Sequence, residues 1–190
     1  MRGSSDRCLS RRVFSVPDEI EIRPIRESEY KAAGEATARA FREFLTPGSS
    51  GWEAYVARIA DVGSRAGRAI VLVAVDDGVI AGSVTLELDS RISPGVADPL
   101  APDEAHVRML GVSPDHRGRG IARRLMLACI DAARAHGKQV MTLDTDPVMT
   151  AAQQLYASLG FAPTSPQLRP DGMVLLSYTL DIESAAPANR

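Results

Sequence analysis

The sequence predicts a mixed α/β fold. Four stretches carry apolar residues at helical spacing, and between them lie runs that are alternating or continuously apolar. An Asp77-Gly78 pair joins two of those runs, the strongest short signal for an antiparallel hairpin.

In chain order, residues 1–16 carry four arginines and one aspartate, and 1–18 read as a flexible, mildly basic head. Ile20 and Ile22 alternate with charges, with Ile25 beyond, as a short strand. Ser28 is the expected N-cap of a first helix bearing Tyr30, Ala33, Ala36, Ala40, Phe41 and Phe44. Thr46 to Gly51 is a loop. Trp52, Tyr55, Val56 and Ile59 mark a second helix that ends near Gly63–Gly67. Ala69 to Val75 reads as a fully buried strand, and its hairpin partner sets Val84, Leu86 and Leu88 against Ser83, Thr85 and Glu87. A Pro- and Gly-rich loop spans Ser93 to Pro102. Residues 104–112 form another strand. A long amphipathic helix runs from Gly120 to His136-Gly137, with Ile121, Leu125, Met126 and Cys129 on one face. Val140 to Leu143 is a strand, Asp146-Pro147 the expected start of a helix through Leu159, and Met173 to Leu180 a last strand. Were that strand to lie at an open edge, it would invite a homodimer.

Composition narrows the function classes. The chain of 190 residues is 45% hydrophobic and 24% charged, which is enough to bury one core. A net charge of −2 exerts no pull toward nucleic acid. No apolar run approaches the ~20 residues needed to span a bilayer, and the N-terminus lacks a signal-peptide core. Two cysteines, Cys8 and Cys129, make no disulfide framework and read as thiols of a cytoplasmic protein. No cluster has metal-ligand spacing, so no metal is expected.

The chemistry concentrates in Val112-Ser113-Pro114-Asp115-His116-Arg117-Gly118-Arg119-Gly120-Ile121-Ala122. A strand ends, a loop turns and a helix begins. The first helical turn offers unpaired amides and the positive end of the macrodipole, and glycines let an anion approach them. Arg117 and Arg119 add charge, while Ile121 and small Ala122 open the helix. The sum is an anion cradle matched to a pyrophosphate. It is no P-loop, because G-x-x-x-x-G-K-[ST] is absent. It is no dinucleotide fingerprint either, because Arg123 stands where the third glycine belongs.

In this context Arg117, Gly120 and Ala122 match the signature Q/R-x-x-G-x-G/A, and the chain resembles the GNAT superfamily of N-acetyltransferases. A second matching segment is Ala152-Gln153-Gln154-Leu155-Tyr156-Ala157-Ser158-Leu159-Gly160-Phe161. The likeness covers residues 19–181, with 182–190 as a tail, and is most specific over 104–161. It implies a mostly antiparallel, twisted sheet flanked by helices, with its middle strands splayed around acetyl-CoA. The pyrophosphate would rest on the amides of 117–122, Gly118 included, and the pantetheine on backbone near Leu110, Gly111 and Val112. Met149 stands where many members place an asparagine that bonds the pantetheine, so here it would only pack. The implied reaction is direct acetyl transfer to a primary amine, of a small molecule or a protein, with no acyl-enzyme.

The resemblance makes Tyr156 the acid for the leaving thiolate, beside a plain packing role on its apolar stripe. For the base, His106, Glu104 and water stay open, and Arg108, Leu110 and Val112 are expected to share their strand face. A backbone N–H near Gly111 or Val112 would stabilise the oxyanion. Trp52, Glu53, Tyr55 and Asp98 would line the acceptor site. His116 reads as solvent-exposed and His136 as a cation at a helix C-terminus. Two alternatives remain: a non-catalytic acyl-CoA-binding regulatory or sensory module, and transfer of another acyl group such as propionyl or succinyl, for which Arg108 would be the marker.

Overall fold

The computed structural model describes residues 20–44, 52–89, 99–168, 172 and 174–185. The head, Cys8, Asp98, the tail beyond 185 and the side chain of Trp52 lie outside the described residues. The elements are β1 (Glu21–Pro24), α1 (Tyr30–Arg42), α2 (Trp52–Ala60), α3 (Gly63–Ala66), β2 (Ile70–Asp76), β3 (Val79–Glu87), β4 (Glu104–Val112), α4 (Ile121–Ala135), β5 (Val140–Thr145), α5 (Thr150–Ser158), β6 (Ala162–Pro163), β7 (Gln167–Leu168) and β8 (Val174–Asp181). One sheet runs β1-β2-β3-β4-β5-β8-β6, with β7 also on β8. Every pairing is antiparallel except β4 with β5. The mixed, mostly antiparallel sheet flanked by helices is the predicted class.

The Asp77-Gly78 hairpin forms with φ of 50° and 80°, the two positive values a type I′ turn demands. The two faces of the sheet then diverge. Leu86, Val107 and Leu143 lie opposite one another across β3, β4 and β5, and pack with Leu125, Met126 and Cys129 of α4 into the main core. On the other face α1 crosses β3 and β4, and the Thr37 hydroxyl meets Ser83 Oγ at 2.6 Å.

Several boundaries differ from expectation. Ser28 caps nothing. It lies in a 3-10 turn (Glu27–Glu29), and the Glu29 carboxylate accepts the Arg26 amide at 2.9 Å instead. The second helix is two pieces, α2 and α3. α5 starts at Thr150 rather than Pro147, because the Asp146 carboxylate accepts the Val148 amide at 2.9 Å and closes a turn first. β8 is no open edge. It sits between β5 and the short β6 and β7, and Thr164 N–H donates to Ser177 O at 2.8 Å, so the premise for a homodimer through that edge is gone.

The correction that matters most for the site is in β4. Thr85 pairs with Arg108 but Ser83 with Gly111, so β4 carries one extra residue, at Met109, whose φ is 53°. The bulge reverses parity. Glu104, His106 and Arg108 face α1, whereas Leu110 and Val112 pack against the main core on the opposite side. The five residues do not share a face.

Candidate active site

β4 and β5 pair from Glu104↔Val140 to Val107↔Leu143 and no further, so the strands part where the bulge begins. Ser113 N–H donates to Ala81 O of β3 at 2.8 Å. Alternate residues of a strand turn their polar groups to opposite neighbours, so Val112 and Leu110 turn theirs toward the gap. Arg117 Nε reaches the Val112 carbonyl from that side at 3.3 Å. Gly111 does something else. A Cβ there would lie 2.9 Å from Thr37 Cγ2, so its missing side chain lets α1 close onto β4.

The loop after β4 is built as a cradle. Gly118 and Gly120 have φ of 77° and 73°, and nothing lies within 4 Å of the place a side chain would take. Gly120 is the left-handed N-cap of α4, whose first helical bond is Arg124 N–H to Gly120 O at 3.0 Å. The amides of Ile121, Ala122 and Arg123 therefore precede any intrahelical acceptor. Side chains pin this loop on two flanks. Arg117 pairs with Glu43 at 2.7 Å and donates to Ala40 O at 3.3 Å, and Asp115 pairs with Arg39 at 2.5 Å. On the other flank Arg119 pairs with the buried Asp76 at the end of β2, and His116 Nε2 lies 3.7 Å from the same carboxylate. His116 is thus a half-buried partner of Asp76 and not a solvated side chain. Both arginines neutralise carboxylates, which leaves the anion attraction of the cradle to backbone amides and the dipole of α4.

Tyr156 of α5 is 6% exposed, and the rings of Phe161 and Tyr178 each lie 5.9 Å from its own, tilted by 59° and 53°. Burial pushes its hydroxyl well above the usual phenol range, and the neighbouring Tyr178 and Tyr55 phenols add to it. Tyr156 belongs to the same core as Leu110 and Val112, while Tyr55 stands on α2. Met149 caps α5 and packs with Met109, Tyr55, Phe41 and Ile59. Glu53, on the first turn of α2, is exposed.

On the α1 face lies a polar row. His106 Nδ1 is 2.8 Å from Thr142 Oγ1, and that hydroxyl donates to Glu104 Oε1 at 2.7 Å. His106 Nε2 lies 3.9 Å from Asp144, which accepts the Ser177 hydroxyl at 2.6 Å. The two candidate bases are therefore joined by one side chain. Arg108 pairs with the fully buried Glu87 at 3.2 Å. Arg65 of α3 is buried under α2, donating to the carbonyls of Arg58, Ile59 and Asp61 and to Thr85 Oγ1. Burial pushes its guanidinium down to about 10, helped by the charge of Arg108. His136 Nδ1 bonds Ala132 O at 2.8 Å at the end of α4. Among the described residues no group of three His, Cys, Asp or Glu side chains is arranged to hold a metal ion, and no helix is long and apolar enough to cross a membrane.

Sequence reasoning missed Thr142, Asp144, Asp76 and Arg65. The first two were legible, since Thr142 and Asp144 alternate with Met141 and Leu143 along β5. Asp76 and Arg65 carried no local signal, because their partners are distant in sequence.

The family model for the acetyltransferase (GNAT) family matches residues 31–161. The L-amino acid N-acyltransferase MnaT of Escherichia coli is 43% identical over 54 residues, 28% of this chain and 31% of that protein. A [ribosomal protein bS18]-alanine N-acetyltransferase of Haemophilus ducreyi is 35% identical over 75 residues, 40% of this chain and 51% of that one. The chain thus aligns with about half or less of these relatives' lengths. Among solved structures, yncA from Salmonella typhimurium, determined with its cofactor acetyl-CoA, superposes with a TM-score of 0.63 at 24% identity over 90% of this chain and 98% of that one. A GNAT family acetyltransferase from Brucella melitensis, in complex with acetyl-CoA, gives 0.56 at 20% identity over 91% and 94%. The parted strands, the bulge and the glycine cradle lie inside the matched segment, and the chain belongs to the acetyltransferase (GNAT) family.

Proposed function

We propose that the protein is an acetyl-CoA-dependent N-acetyltransferase acting on a primary amine, with residues 19–181 as its catalytic domain. The observation that carries this reading is the juxtaposition of the cradle with the gap between β4 and β5. The open space at Gly118 and Gly120 and the unpaired amides at the start of α4 fit a pyrophosphate. The gap-facing polar groups of Leu110 and Val112 fit an extended amide-bearing arm that would lie as an added strand. When bound, acetyl-CoA supplies an activated acetyl thioester.

The chain's own residues then divide the work. Arg117, Arg119 and His116, tied to Glu43 and Asp76, hold the cradle in place before a ligand arrives, which lowers the ordering cost of binding. Tyr156, a phenol that carries its proton at neutral pH and that burial keeps protonated further into the alkaline range, is the donor for the leaving thiolate. The base is on the α1 face, at His106 and Glu104. The charge of Arg108 is paired with Glu87, so it does not stand as the cation a succinyl carboxylate would need, which favours acetyl.

The test is calorimetric titration of acetyl-CoA and desulfo-CoA, repeated with Gly120→Glu, followed by an amine panel read by thiol release. Micromolar binding abolished by the substitution, with thiol released by at least one amine, is the expected result. Binding with no turnover on any amine would favour the acyl-CoA-binding module, and no binding to either ligand would overturn the reading.

A further inference from the structure

His106 and Glu104 entered as rival bases, and the side-chain geometry makes them one device. The Thr142 hydroxyl has one proton and three possible acceptors in reach, Glu104 Oε1 at 2.7 Å, His106 Nδ1 at 2.8 Å and Ala105 O at 3.5 Å. The carboxylate is the shortest contact and the only charged acceptor, and it has no proton to donate, so it takes the hydroxyl proton. The Thr142 oxygen is then left to accept, and the group within 2.8 Å is His106 Nδ1. That arrangement requires a proton on Nδ1 and places the basic lone pair of the neutral imidazole on Nε2. Nε2 faces Asp144, the first residue of β5 beyond its last pairing with β4, so the lone pair is directed to the place where the strands part. Glu104 lies at the other end of the row, at the start of β4 beside the exposed residues Ala101, Pro102 and Asp103.

We propose that Thr142 is a positioning residue that holds His106 in the Nδ1–H form and links it to Glu104, so that Asp144, His106, Thr142 and Glu104 form one relay carrying the amine's proton from the strand gap to solvent. The proposal rests on the acetyltransferase reading. The substrate ammonium gives a proton to Nε2, leaving a neutral amine and an imidazolium that Asp144 stabilises. The Nδ1 proton passes to Thr142 Oγ1 as the Thr142 proton passes to Glu104. Glu104 returns the proton to water, leaving the imidazole neutral with its proton on Nε2. After the product leaves, water entering the gap takes that proton while Nδ1 regains one from solvent through Glu104 and Thr142, which restores the resting form. The charged groups facing His106 are Glu87 of β3, Glu104 and Arg108 of β4 and Asp144 of β5, with Arg65 of α3 behind Thr85. Three carboxylates against two guanidinia, one of them engaged with Glu87, suit a site that holds a transient cation.

The experiment compares wild type with Thr142→Val, which keeps the shape and removes the hydroxyl, and Thr142→Ser, which keeps the hydroxyl. Two readouts are taken. The first is kcat/KM against pH for an amine found in the panel. The second is the nitrogen-15 imidazole spectrum of the acetyl-CoA-free protein, with the His106 signals assigned by their loss in His106→Gln. Wild type and Thr142→Ser should show His106 protonated on Nδ1. Thr142→Val should show a mixture of tautomers, a kcat/KM lowered about tenfold or more, and a displaced acid limb. Unchanged kinetics in Thr142→Val would overturn the relay. So would a loss of activity with an unchanged tautomer, or a loss that Thr142→Ser does not restore. A wild type that binds acetyl-CoA but acetylates no amine would defeat the acetyltransferase reading and the relay with it, even with the expected tautomer in the spectrum. An active wild type with indifferent Thr142 variants would defeat the relay alone.

Discussion

The two faces of β3, β4 and β5 are made by the same three strands and have opposite character. Toward α4 stand Leu86, Val107, Met141 and Leu143, none more than 2% exposed. On the other side stand Thr85, Glu87 and His106, which are buried, with Thr142 and Asp144 half-buried beside them, and all five are polar. Alternation along a strand is what permits this, since each strand contributes independently to two environments. The apolar face gains stability from every side chain. The polar face must offset the burial of each charged group, and it does so largely with paired side chains that also suit proton transfer, although Arg108 Nε makes no hydrogen bond among the described residues. Stability and chemistry are thus separated across the thickness of one sheet.

The sharpest challenge to that separation is Arg65, which belongs to the polar face yet is structural. Arg65→Met would leave three carbonyls at the end of α2 and the Thr85 hydroxyl without their donor. A loss of about 3–5 kcal/mol is expected in denaturant unfolding, as for breaking a buried charged contact. A loss under 1 kcal/mol would show that the polar face contributes little to holding α2. Leu143→Ala, on the apolar face, should cost about 3 kcal/mol in the same measurement, with kcat retained in the folded fraction. Tyr156→Phe crosses the comparison, because the residue is packed like core and placed like a catalyst. Its ring contacts survive, so Tm should move by no more than about 2 °C, while kcat falls on the order of a hundredfold, about 2.7 kcal/mol of barrier. Because burial raises Tyr156, wild-type kcat should show no alkaline loss from this group below about pH 10.

The smallest effect lies at the sheet's first strand, away from β3, β4 and β5. Hydrogen bonding to Arg23 at 2.7 Å, with the Arg26 amide assisting, holds the Glu29 carboxyl down to about 2. A depressed carboxyl stabilises the folded state above its unfolded value and loses that contribution as pH falls through its folded value. Glu29→Gln should therefore cost about 1 kcal/mol at pH 7, and the difference from wild type should vanish between about pH 4 and pH 2. A difference that persists at pH 2 would assign the effect to the cap's geometry rather than its charge.

Much of this was legible in the residue order. The Asp77-Gly78 hairpin, the helix opening at Gly120 and the stripe through Ala152, Tyr156 and Leu159 are local patterns, and each formed where its spacing placed it within a few residues. The cradle was legible because glycine, strand end and helix start are adjacent in the chain. What was not legible came from long-range pairing. The parity of β4 changed at Met109 because its register is set by β3 and not by its own alternation. The Asp146-Pro147 start failed because a side-chain turn competed with the helix for the same amide.

The element order, the apolar faces and the amides that face an anion all follow from residues a few positions apart in the chain. Which carboxylate meets which cation, the cover on both sides of β8 and the sharing of Thr142 by Glu104 and His106 arise from the packing of distant segments. Those contacts join residues far apart in the chain, such as Asp76 with Arg119 and Arg65 with Thr85. No local pattern encodes them, because the distance between two side chains of a folded sheet depends on register and crossing geometry that the whole chain sets together.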